Sequence, residues 1–274
     1  MMPVLLLAAA IFARAAQPLW IDLTYPFDGK TVSWPTKKGF TREKSEAVNE
    51  QGTFVALGRF AADEDGGTHL DAPYHMYRGR NTVDQIPLDQ LVGPGFVVDV
   101  SAKCAENPDY EVQVGDLDRW EKRWGKLPPG AIVLVRTGWG KFWPDRRRYL
   151  GTDERGAAAE KKLHFPGLSQ KAAQWLVLHR SVKAVGIDTA SIDRGRSETF
   201  DSHVALLSAN VPVMENLANL GELPPTGMTV AAFPMKIGGG TGAPLRIAAT
   251  METFPPQVQP KKYGSGFEKS HSFH

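Results

Sequence analysis

The sequence predicts a mixed α/β (α+β) fold, and three observations carry that reading. Short runs rich in Val, Ile and Leu recur along the chain, while helical patterns are fewer. The two kinds mix without a regular strand–helix–strand period, so a doubly wound parallel sheet is not compelled. Twenty-seven Gly and twenty Pro among 274 residues demand many turns and argue against a helical bundle.

In chain order, residues 4–12 are an apolar run followed by Ala13-Arg14-Ala15-Ala16. That pattern reads as a secretory signal, residues 1–15, cleaved after Ala15, and it predicts a secreted or secretory-lumen protein. The run is too short to span a bilayer, which takes about 20 apolar residues, and no membrane partner is expected. Residues 19–25 read as a short strand and 26–39 as a turn-rich loop carrying Trp34. Residues 53–60 form another strand, and 95–100, 131–136 and 184–187 read as buried strands. Helices are expected at 114–124, 169–179 and 202–208, with Ser169 as an N-cap. Residues 256–274 are polar, rich in Gly, Ser and Lys, and are expected to be a flexible tail. A single folded domain is placed at residues 19–250.

Charge and cysteine content narrow the chemistry. Thirty-two Lys plus Arg against thirty Asp plus Glu leave a net charge of +2, which gives no basic field for nucleic acid. Cys104 is the only cysteine, so disulfides within the chain and multi-cysteine zinc sites are excluded. A metal would have to be held by imidazole and carboxylate.

Those side chains crowd together in Asp65-Gly66-Gly67-Thr68-His69-Leu70-Asp71-Ala72-Pro73-Tyr74-His75. Two glycines and a proline argue against a helix there. An extended segment would put Asp65, His69 and Asp71 on one face, converging as a divalent ion requires. Pro73 should end the ladder and leave His75 on a loop near the same point. A hairpin turn with a solvated polar face is the competing reading of the same residues.

The run from Gly67 to His75 resembles the H-x-G-T-H-x-D-x-x-x-H motif of the cyclase family of metal-dependent hydrolases, which includes kynurenine formamidase and isatin hydrolase. Trp34-Pro35, Gly186 to Asp193, His203, Glu215-Asn216-Leu217, Pro234 to Ile237 and Gly242-Ala243-Pro244 also look like family segments. The resemblance implies a swivelling β/β/α domain with a central mixed β-sheet or barrel, and a homodimer. It implies metal ligation by His69 and Asp71, with Asp71 able to bridge two ions. His203 and Glu215 correspond to ligands of a second or shared position, His75 to the general acid/base, and Trp34 to a residue that stacks on an aromatic substrate. One or two divalent ions per subunit, manganese or zinc, are implied.

One position departs from the motif: its first histidine is Asp65 here. A carboxylate makes a harder, more anionic site and shifts preference from zinc toward manganese or magnesium. Asp65 pointing away would leave a weaker or inactive site.

The implied reaction is hydrolysis of the C–N bond of a small aromatic amide, N-formylkynurenine or isatin in type, by metal-activated water with His75 as base. A non-catalytic secreted binding protein of the same fold, or a cyclase or dehydratase on another small molecule, are the alternatives. Gly238 to Gly242 lacks the GK[ST] of a Walker A loop and reads as a turn near the pocket. Arg146-Arg147-Arg148 reads as a solvated run. His164 and His179 read as structural, and Cys104 as inert.

Overall fold

The computed structural model describes residues 20–251. The expected export signal at 1–15 and the expected tail at 256–274 lie outside the described residues. The chain begins with β1 (Trp20–Asp22), crosses a loop to the hairpin β2 (Thr41–Val48) and β3 (Phe54–Ala61), and reaches β4 (His69–Asp71). A single turn, α1 (Leu88–Leu91), leads into β5 (Val92–Asp99). Helix α2 (Ser101–Glu106), β6 (Glu111–Val112) and α3 (Val114–Trp124) then lead to β7 (Ile132–Arg136). The next connection holds α4 (Arg146–Leu150), α5 (Ala157–Glu160), β8 (Gly167–Leu168) and α6 (Gln170–Arg180) before β9 (Ala184–Ile187). Helix α7 (Asp201–Leu207) and strands β10 (Val213–Glu215), β11 (Met228–Pro234) and β12 (Gly242–Thr250) follow.

Seven strands close on themselves in the order β12-β11-β5-β7-β9-β10-β4, with β4 pairing back to β12. Strand β12 is long enough to serve two partners on one edge: Gly242–Pro244 pair with β4, and Ala248–Thr250 pair with β1. Strands β5, β7, β9 and β10 run parallel, and the remaining ladders of this sheet are antiparallel. The mixed barrel is the fold the sequence predicted. Closure leaves few open strand edges.

Period-two alternation fills both sides of this sheet. Ile132, Leu134, Val97, Met214 and Leu70 point into the barrel with Val230 and Ile247. Their neighbours Val133, Val135, Val98 and Val213 face outward against Leu117, Trp120, Ala172 and Leu176 of α3 and α6. Being covered on both faces explains why β7 reads as an unbroken apolar run. Helix α3 begins and ends where expected, and Ser169 caps α6 by accepting the Ala172 N–H at 3.3 Å.

Two readings change. Strand β2 was not expected; it pairs with β3 over eight residues, and all sixteen positions are exposed. Without a buried face there is no alternation to read. Arg146 is not part of a solvated run: it is half-buried and donates to the Ser33 carbonyl at 2.6 Å, tying α4 to the Trp34 loop. Among the described residues no helix is long and apolar enough to cross a membrane.

Candidate metal centre

Strand register assembles the site. In β4, His69 and Asp71 share one face, while Leu70 fills the barrel. Glu215 of β10 lies directly opposite His69 in an antiparallel ladder, so its side chain falls on that same face. Gly242 of β12 lies opposite Asp71, where a Cβ would sit 2.7 Å from the Leu70 carbonyl and 3.3 Å from Asp71 Oδ1. Helix α7 brings His203 to the cluster, and all four side chains are buried.

Ligand atoms of His69, Asp71 and Glu215 lie within 4.8 Å of one another, a group that could hold a metal ion. His69 Nε2 is 3.4 Å from both Asp71 Oδ1 and Glu215 Oε2. His203 Nε2 is 3.0 Å from Glu215 Oε1 and 3.3 Å from Asp71 Oδ2. The outer nitrogens are committed elsewhere. His69 Nδ1 lies 2.9 Å from the Gly67 carbonyl, and His203 Nδ1 lies 2.7 Å from Asp193 Oδ2. Each Nδ1 therefore carries the proton, and each Nε2 lone pair is aimed at two carboxylates. Acceptors facing acceptors require a cation between them, either a proton on each imidazole or a metal. Asp71 Oδ1 is buried and accepts no hydrogen bond, which leaves it free as a ligand atom. The donor set fits a divalent ion.

Charge follows the same logic. Burial alone would push the His69 imidazole down, but the Asp71 carboxylate and contacts to Glu215 hold it well above its ordinary range. Burial likewise opposes charge on His203, and Glu215, Asp193 and Asp71 together outweigh it and raise it well above. Asp71 would be raised by burial, yet His69, His75 and His203 hold it well below the usual carboxylate range. Glu215 accepts the Ile192 N–H at 2.7 Å, so the loop after β9 fixes the second carboxylate.

A cavity of about 250 Å³ opens onto this cluster, lined by His75, Trp34, Phe200, Lys37 and Asp65 among others. His75 ends a 3₁₀ turn, Pro73–His75, and is half-buried with its ring centre 6.3 Å from that of His203. Trp34 forms a wall, its Nε1 donating to Glu160 Oε1 at 2.8 Å and its ring tilted 6.4 Å from Phe200. A larger cavity, about 590 Å³, sits beyond the ends of β5, β7 and β9 beside Arg136 and Asp188. It contains none of the clustered ligands, so the chemistry selects the smaller one.

Asp65 lines the cavity but does not converge with the ligand atoms. Gly67 adopts φ +65°, a left-handed turn, so the extended period that would have aligned Asp65 with His69 is broken. The Asp65 carboxylate instead meets Lys37 Nζ at 3.0 Å. Four contributors escaped the sequence reading as site residues: Asp193, which orients His203; Ile192, whose N–H holds Glu215; Lys37; and Phe200, which walls the cavity beside Trp34. Two of them lie in the Gly186 to Asp193 segment, so position in a distinctive segment was the signal available.

Residues 21–194 match the family model described as putative cyclase. Isatin hydrolase of Roseibium aggregatum is 31% identical over 214 residues, covering 75% of this chain and 79% of the relative. Kynurenine formamidase of Salinibacter ruber is 30% identical over 231 residues, covering 82% and 94%. The solved structure of isatin hydrolase A from Ralstonia solanacearum superposes with a TM-score of 0.77 at 33% identity, covering 86% of this chain and 92% of that one.

Proposed function

The chain belongs to the cyclase family, and from that premise we propose that it hydrolyses the C–N bond of a small aromatic formamide or cyclic amide. The observation that carries this reading is the buried His69–Asp71–Glu215 group with His203 against it and His75 at its edge. These residues would hold a manganese or zinc ion, which when bound supplies Lewis acidity toward a carbonyl and an acidified water. Asp193 and the Gly67 carbonyl keep the two imidazoles turned with Nε2 inward.

His75 does the proton work. As water oxygen bonds to the amide carbon, His75 accepts the released proton; it then gives a proton to the departing nitrogen as the C–N bond breaks. The products are an amine and a carboxylic acid, which releases its remaining proton to solvent as the carboxylate. Trp34 and Phe200 wall the cavity and accept a flat ring.

The test is elemental analysis followed by paired assays of N-formylkynurenine and isatin. A stoichiometric divalent ion with chelator-sensitive cleavage supports the reading. A metal-bearing protein inert on both would point to cyclisation or dehydration instead, and a metal-free inert protein to a binding role.

The partner proposed, besides the substrate, is a second copy of the chain. The β2–β3 hairpin exposes Phe54, Leu57 and Phe60 on its two faces, and a lone two-stranded ribbon is marginal in water. At its root the Gly39 N–H donates to Asp63 at 2.7 Å, two residues along the chain from the cavity-lining Lys37 and Asp65. Export is proposed from the signal-like residues 1–15.

A further inference from the structure

The Lys37–Asp65 pair is the feature of the cavity that the hydrolytic machinery leaves unused. Lys37 is the one fixed cation among the residues lining it. Its backbone is pinned: the amide donates to the Trp34 carbonyl at 3.1 Å, and its own carbonyl accepts from Arg155 Nη1 at 3.1 Å. The neighbouring Pro35 carbonyl accepts the Gly156 N–H at 3.0 Å. Asp65 then fixes the far end of the side chain at 3.0 Å. A flexible lysine is thereby held in one place at the cavity wall.

An ammonium has three protons, and Asp65 takes one. No other acceptor approaches Nζ among the described residues. Burial opposes the charge, yet hydrogen bonding and attraction from Asp65, with Asp63 and Asp71 behind it, keep it firmly cationic. The Lys37 side chain is 38% exposed, so its remaining donors face solvent at the wall of the cavity that also holds the ligand cluster.

We propose that Lys37, positioned by Asp65, is the residue that recognises an oxygen acceptor on the substrate beside the scissile amide. This rests on the amidohydrolase reading. The substrate class is an aryl amide carrying a second carbonyl or carboxylate, whose oxygen accepts from Nζ while the ring lies against Trp34. Opening a cyclic amide leaves the new carboxylate on the aryl product, which Lys37 also holds, whereas a formamide releases its carboxylate as formate. Asp65 is a positioning residue for Lys37 and not a metal ligand.

The test uses the metal-loaded full chain and the variants Lys37→Met, Lys37→Arg and Asp65→Asn. Three substrates separate the roles: isatin and N-formylkynurenine, which carry the second oxygen, and formanilide, which lacks it. Loss of a charge-assisted hydrogen bond predicts KM about 10- to 100-fold higher for the first two in Lys37→Met. The constants for formanilide should not change, and Lys37→Arg should restore part of the loss. Asp65→Asn should keep the full metal content by elemental analysis while raising KM for the same two substrates. An equal effect on formanilide, no effect on any substrate, or loss of metal in Asp65→Asn would overturn the assignment. Calorimetric titration with 2-aminophenylglyoxylate, the ring-opened isatin, separates this from failure of the reaction itself. Binding weakened 10-fold or more in Lys37→Met without turnover in the wild type would sink the hydrolase reading alone. Equal binding in both proteins would sink this one.

Discussion

His203 gives its Nδ1 proton to Asp193 across 2.7 Å, and the same carboxylate accepts the backbone N–H groups of Ser202 at 2.9 Å and His203 at 3.1 Å. One carboxylate thus fixes both the ring and the first turn of the helix that carries it. Oδ2 serves both His203 bonds and Oδ1 the Ser202 bond. Asp193→Asn leaves one acceptor oxygen for these three donors and removes the charge. The hold on the ring is thereby weakened. Metal affinity should fall about 10- to 100-fold, measured by chelator competition, with circular dichroism unchanged. Unaltered affinity would mean that Asp193 serves the helix alone.

His75 and Asp71 should separate cleanly. His75 stands at the edge of the ligand cluster, so His75→Ala should lower turnover by about 10²–10⁴ while metal content stays stoichiometric. Asp71 faces both histidines through its two oxygens, and Asp71→Asn should lose metal and activity together. Elemental analysis beside turnover numbers reads both variants. Full turnover in either would contradict the roles assigned.

Metal and protons compete for the same lone pairs, and this sets the pH response. His69 and His203 are held well above the ordinary imidazole range in the metal-free fold, and Asp71 well below the carboxylate range. The raised histidines stabilise that fold fully below their unfolded pKa, and the contribution fades as pH rises through their folded values. The depressed Asp71 contributes above its unfolded pKa and fades as pH falls through its folded value. Metal-free stability from this cluster should therefore peak between about pH 4 and pH 6.5. Ion binding must expel the imidazole protons, so affinity should increase with pH and proton release should accompany binding. Titration calorimetry in buffers of different ionisation enthalpy measures the protons. Binding without proton release would exclude the imidazolium state.

What could be read in the sequence was whatever local periodicity encodes. Strand β7 and helix α3 carry their burial in an apolar pattern and were legible, as was the His69–Asp71 pair on one strand face. Hairpin β2–β3 was half legible because an element that buries nothing leaves no alternation. Asp65 was aligned with His69 by a period that holds only in extended chain, and Gly67 breaks it. Lys37 and Asp193 act on residues 28 and 10 positions away, pairings that closure of the barrel and docking of α7 create.

The hairpin prediction concerns association. Leu57 and Phe54 sit on opposite faces of the ribbon, since they lie three residues apart in one strand, and both are well exposed. If a second copy covers the ribbon, Leu57→Asp or Phe54→Asp should convert a dimer to a monomer in light scattering. The barrel core is far from either change, so the far-ultraviolet dichroism should persist. A wild-type chain that is monomeric at micromolar concentration would remove the proposed partner.

Gly67 joins backbone geometry to the metal centre, and its substitution tests that link. At φ +65° an L-residue is strained, and an added Cβ would lie 2.7 Å from Phe27 Cε1 and 2.9 Å from Thr31 Cγ2. Backbone strain and overpacking together predict that Gly67→Ala destabilises the fold by about 2–4 kcal/mol, measured by urea unfolding of metal-free protein. Gly66→Ala is the control: its Cβ would meet only the Asp63 carbonyl at 3.7 Å and Ser33 Cβ at 3.8 Å, ordinary contacts. The Gly67 carbonyl also accepts from His69 Nδ1 at 2.9 Å and Asn216 Nδ2 at 2.7 Å. Any rotation of that peptide frees the His69 ring, so Gly67→Ala should weaken metal binding as well as stability, and Gly66→Ala neither. If Gly67→Ala lost stability but bound metal as tightly as the wild type, the carbonyl would not be what orients His69.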